Sequence, residues 1–75
     1  MNLQNFIENF SAEFDETPKE MFEAKTNFKS LDEWNSLTAL SIISMIDENY
    51  EKTITGADLR NHITIEDLFN YVKSL

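Results

Sequence analysis

The sequence predicts an all-α fold, a single four-helix domain over residues 1–75 with three longer helices, a short third helix and a long loop between helices 1 and 2. Three observations carry this prediction. Apolar residues recur at helical spacing at Leu3, Phe6, Ile7, Phe10 and Phe14. The stretch from Ser36 to Tyr50 contains neither Gly nor Pro and follows Asn35, a good helix cap. Thr64 stands three residues before Asp67, at the head of a stripe formed by Ile65, Leu68, Phe69, Val72 and Leu75.

The first helix should start behind Asn2 and bury its phenylalanine stripe, leaving Asn5, Glu8 and Ser11 on the wet face. Asp15 to Asn35 is a long connection for so small a domain. Within it, Thr17-Pro18-Lys19-Glu20 reads as a cap, a first-turn proline and a capping-box glutamate, which predicts a turn or two of helix carrying Met21 and Phe22 inward. Phe28, Leu31 and Trp34 should then pin the rest of the loop to the bundle. In the second long helix, Ala39, Ile42, Ile43, Ile46 and Tyr50 share one broad core face. Leu37 falls on the opposite side beside Ser41, Ser44 and Glu48, with Leu40 and Met45 on the flanks. Folding does not need an apolar residue there, so Leu37 is a candidate docking contact. Ile54-Thr55-Gly56 breaks the pattern, Ala57 to Arg60 allows only a short helix, and Ile63 and Leu68 stand where a hydrophobic staple would bracket the start of the fourth.

Charge and composition narrow the function. Fourteen acids against six bases give a net charge of −8, which repels nucleic acid and anionic lipid and favours a basic protein partner. No cysteine is present, so disulfides, thiolate metal sites and cysteine nucleophiles are excluded, and any thiol chemistry must come from a prosthetic group. The first residues form no basic, unbroken apolar or cleavage-site pattern, so the cytoplasm is the expected location, and the small exposed apolar surface makes a monomer the expected state. Asp47-Glu48-Asn49-Tyr50 lacks the alternating ligands and the glycine of a calcium loop. A lone histidine, His62, and a lone glycine, Gly56, rule out a histidine metal cluster and a phosphate-cradling loop. Carboxylate pairs such as Asp47 with Glu51 are ordinary on an acidic helix, and no enzyme activity is expected.

Ser36 follows directly on the cap of the second helix, where unpaired amides and the macrodipole favour negative charge. Taken alone, it could either share in capping or bear an anionic group. Its surroundings are more specific. Thr26-x-Phe28-x-x-Leu31 leads into Glu33-Trp34-Asn35-Ser36-Leu37, an aliphatic helix ending in Asp47-Glu48-Asn49-Tyr50, then Ile54, a short helix and Thr64-Ile65-Glu66-Asp67-Leu68. Across nearly the whole chain this succession resembles the acyl carrier protein family, in which a helix-opening Asp-Ser-Leu holds a prosthetic arm on its serine.

The resemblance implies a bundle of acyl-carrier type and 4′-phosphopantetheine, covalently attached to Ser36 from coenzyme A. It also implies partners: a phosphopantetheinyl transferase and acyl-processing enzymes of a fatty-acid, polyketide or related pathway, meeting Leu37, Asp47 and Glu48 through basic patches, with Leu40, Ser44 and Met45 on the same surface. Acyl groups would ride on the arm as thioesters, sheltered by Ile42, Ile46, Ile54, Leu59, Ile63 and Phe69. Asn35 stands where the family usually has aspartate, and Thr38 and Ser41 where fatty-acid carriers often have acids. With Trp34 before the motif, the pattern is more similar to carriers of specialised pathways. The alternative is an unmodified acidic helical module binding a basic protein through Leu37, Ser41 and Glu48, and a third reading is a small acidic metal-binding regulator.

Overall fold

Four helices carry the fold in the computed structural model, which describes residues 1–75: α1 Leu3–Ser11, α2 Ser36–Tyr50, α3 Gly56–Arg60 and α4 Ile65–Ser74. Single 3-10 turns at Lys19–Met21 and Phe28–Ser30 interrupt the connection between α1 and α2. Local chemistry accounts for the helix starts. The Asn2 side chain accepts from the Asn5 N–H at 2.8 Å and caps α1. The other three helices open on reciprocal capping boxes: Asn35 with Thr38, Thr55 with Asp58 and Thr64 with Asp67. Glu51, the one non-glycine residue with positive φ (56°), caps the C-terminal end of α2.

α1 packs on α2 and α4, and α3 packs on α2. Phe6, Phe10, Ile42, Ile46, Ile65, Leu68 and Val72 are fully buried between them. The long connection supplies its own share of the core. Phe28 is fully buried and lies 5.5 Å edge-on to Phe10, and Phe22 lies 5.0 Å from Phe14. The same segment lends the carbonyls of Thr26 and Ala24 to the N–H groups of Ile65 (3.2 Å) and Glu66 (3.0 Å), donors that α4 cannot satisfy itself. Lys25 adds an ion pair to Glu66 at 2.7 Å. The loop is a fixed connection, as its aromatic residues predicted.

The packing corrects several expectations. Met45 is only 3% exposed and belongs to the core, not to a partner surface. It lies about 60° round the helix from Ile42, and α2 packs on both α1 and α3, so its buried arc is wider than the aliphatic stripe alone. Ser11 is buried, its hydroxyl donating to the Glu8 carbonyl at 3.0 Å, a local bond that removes the need for water. α1 stops at Ser11, and a tightening turn with Phe14 N–H on Ser11 O (3.1 Å) keeps Phe14 inward. One 3-10 turn is too short to bury both Met21 and Phe22, and Met21 is left exposed. Ile63 and Leu75 are also exposed, and the buried stripe of α4 ends at Val72.

Candidate functional site

The first turn of α2 is capped by one residue and leaves the next one free. Asn35 is extended, and its Oδ1 accepts from the N–H groups of Leu37 (2.8 Å) and Thr38 (3.1 Å). The Thr38 hydroxyl oxygen accepts from the Asn35 N–H at 2.8 Å and completes the box. Threonine thus serves where fatty-acid carriers often have an acid, and the first turn holds no acidic residue at all. Ser36, the first helical residue, is exposed, and the cap does not require its hydroxyl. Its oxygen stands at the positive end of a helix of 15 residues.

Just before this turn, Glu33 ties the long connection to α2, a role the sequence reading missed. Its carboxylate accepts from the backbone N–H groups of Asp15 (3.2 Å), Glu16 (3.0 Å) and Thr17 (2.5 Å), and from the Thr17 hydroxyl. The Thr17 hydroxyl first, and those amides behind it, hold the Glu33 carboxyl below its ordinary value against the opposing loss of water. Trp34 anchors the same junction, 5.0 Å edge-on to Phe28 and stacked on Phe14 at 6.4 Å.

Between α2, α3 and the end of the loop lies an open groove of about 500 Å³. Trp34, Ala39, Leu40, Ile43 and Leu59 supply its apolar lining, Asn35 and Ser36 one edge, and Lys29, Gly56 and Arg60 the remainder. Of the residues expected to shelter cargo, Leu59 lines this groove; Ile42, Ile46, Ile54 and Phe69 are in the core and Ile63 is in solvent. Lys29 and Arg60 were not anticipated, because neither belongs to a motif and only the fold brings them together beside the serine. A larger cavity over the long connection is lined by Glu16, Glu20, Glu23, Asp32 and Glu33 and contains none of the predicted site residues.

Leu37, next to the free serine, is 73% exposed and Leu40, one turn on, 59% exposed. Ser44, Asp47 and Glu48 are exposed further along α2. The acids are three helical turns from Ser36, about 16 Å at 1.5 Å per residue, so the two groups share a helix without forming one site. His62 is occupied locally, its Nδ1 2.6 Å from the Asp58 carbonyl and its ring 4.8 Å from Tyr71.

No helix is long and apolar enough to cross a membrane. Searches of curated proteins and of solved structures return no match. The family described as phosphopantetheine attachment site matches residues 6–72, nearly the whole chain. An exposed hydroxyl at a helix N-terminus free of acids fits that group, whose linkage is an anionic phosphodiester. The chain is a member of the phosphopantetheine attachment family, a carrier domain that bears 4′-phosphopantetheine covalently.

Proposed function

We propose that Ser36 is the attachment residue and that the chain is a non-catalytic acyl carrier, loaded from coenzyme A by a phosphopantetheinyl transferase. The arm's thiol holds acyl groups as thioesters. One observation carries the assignment to Ser36: its neighbour Asn35 makes the cap, so the Ser36 hydroxyl is exposed at the positive end of α2, where no acid competes for the position. The peptide dipoles there stabilise a phosphodiester on Oγ. Tethering then raises the concentration of cargo at a docked partner's active site, and weak electrostatic docking lets the carrier leave.

Leu37 and Leu40 serve as apolar contacts for partners, and Ser44, Asp47 and Glu48 as the surface for their basic patches. Asp47 and Glu48 support this reading because they sit in a last turn that contains no base, where the macrodipole disfavours acids. Asn35 and Trp34 favour a specialised biosynthetic pathway over general fatty-acid synthesis. The carrier works as a monomer in the cytoplasm.

The test is to incubate the chain with coenzyme A and a broad-specificity transferase and to measure intact mass. The parent gains one arm and Ser36→Ala gains none. A parent that stays unmodified, or a gain that persists in Ser36→Ala, contradicts the proposal; binding of a basic protein by an unmodifiable chain would instead support an unmodified module.

A further inference from the structure

We infer that the groove beside Ser36 selects acyl cargo with a negatively charged far end, and that Lys29 and Arg60 read this charge. The inference rests on the carrier function proposed above. In a chain with fourteen acids and six bases, no acid lines this groove and two bases do. Lys25–Glu66 is the chain's one ion pair, so neither Lys29 nor Arg60 is paired with a carboxylate. Lys29 Nζ donates to the Arg60 carbonyl at 2.7 Å, which brings the two residues to the same edge without cancelling either charge. The Arg60 guanidinium lies over Gly56, where a Cβ would meet Nη1 at 3.4 Å.

Trp34, Leu40, Ile43 and Leu59 offer the opposite chemistry, an apolar floor. An acyl group with an apolar body and an anionic end satisfies both halves once the arm folds back. An alkyl chain satisfies the floor but pushes water from the two cations without replacing it. A cationic end is repelled. Because the groove is open, the charge preference is modest, about five-fold, as for a partly exposed ion pair.

The experiment compares cargoes of equal chain length. Hexanoyl- and adipoyl-coenzyme A are each loaded onto the parent and onto the Lys29→Gln/Arg60→Gln double variant, and intact mass verifies loading. Hydroxylamine cleavage of the thioester and emission of Trp34, the chain's single tryptophan, then report occupancy of the groove. Both cargoes carry the same phosphodiester, so its own attraction to the cations cancels. Cleavage is expected to be about five-fold slower for adipoyl than for hexanoyl in the parent, with a larger Trp34 shift. The difference is expected to vanish in the double variant, and also in the parent at about 1 M salt, where screening reaches ~3 Å; the salt series needs no substitution and so does not depend on the variant's folding. Equal protection of both cargoes, better protection of hexanoyl, or a preference that survives salt or the double variant overturns the inference. Failure to gain any arm overturns the carrier reading itself and this inference with it.

Discussion

At its first turn α2 carries no acid, and at its last turn it carries Asp47 and Glu48 and no base. The helices α3 and α4 do the reverse, whereas α1 has neither an acid in its first turn nor a base in its last. α3 has Asp58 in its first turn and Arg60 in its last, and α4 has Glu66 and Asp67 first and Lys73 last. The macrodipole rewards the arrangement in α3 and α4, at roughly 0.3–1 kcal/mol per charge, and penalises that in α2. In α2 the macrodipole gains nothing from charge at the first turn and is opposed by Asp47 and Glu48 at the last. On the function proposed above, the open N-terminus takes the phosphodiester on Ser36 and the acids at the C-terminus meet basic patches of partners. The same helix exposes Leu37 and Leu40 while burying Met45, so its surface too divides into a face used for folding and a face kept free of it.

Substitutions can sharpen or break this contrast. The largest effect is expected for Met45→Ala, which should cost about 2–5 kcal/mol because it opens a cavity in the core, whereas Leu40→Ala, on the free face, should cost less than about 0.5 kcal/mol. Urea denaturation of the two variants measures the difference, and equal losses would erase the distinction between the faces. At the N-terminal end, Asn35→Ala should cost about 1 kcal/mol by removing the acceptor for two amides, while Asn35→Asp should retain the cap. Thermal unfolding distinguishes them.

At the other end, Asp47→Asn and Glu48→Gln should each stabilise the chain by about 0.3–1 kcal/mol at low salt. They should also raise the transferase KM for the carrier without lowering kcat, separating a docking role from a chemical one. A further change lies in the pH dependence of stability. Because hydrogen bonds depress the folded-state pKa of Glu33, its stabilising contribution is fully present above its ordinary value of 4.5 and is lost as pH falls through the lower folded value. Asp58 and Asp67, held down first by the backbone N–H groups of Thr55 and Thr64, act in the same direction. Glu33→Gln should therefore flatten, without abolishing, the fall in melting temperature between pH 5 and pH 3 measured for the parent.

Much of this architecture is legible in the sequence because it is written in local patterns. α2 runs from Ser36 to Tyr50 as its lack of breakers predicted, and the Thr64–Asp67 box starts α4 where its spacing placed it. What escapes is set by tertiary contacts. The width of the buried arc around α2 depends on how α1 and α3 pack on it, and that decided Met45. Glu33 looks like one more solvated acid until the fold brings the amides of Asp15 to Thr17 around it. Lys29 and Arg60 reach the groove beside Ser36 only through the path of the long connection and the placement of α3. The exposed serine itself was visible, since an asparagine cap one residue earlier already accounts for the helix start.

The most direct test of the difference between the two ends is to load the chain with an arm from coenzyme A, digest it and map the added mass among its six serines, Ser11, Ser30, Ser36, Ser41, Ser44 and Ser74. The account predicts the whole modification on Ser36, at the acid-free end of α2; modification of Ser41, Ser44 or any other serine, or of none, would contradict it.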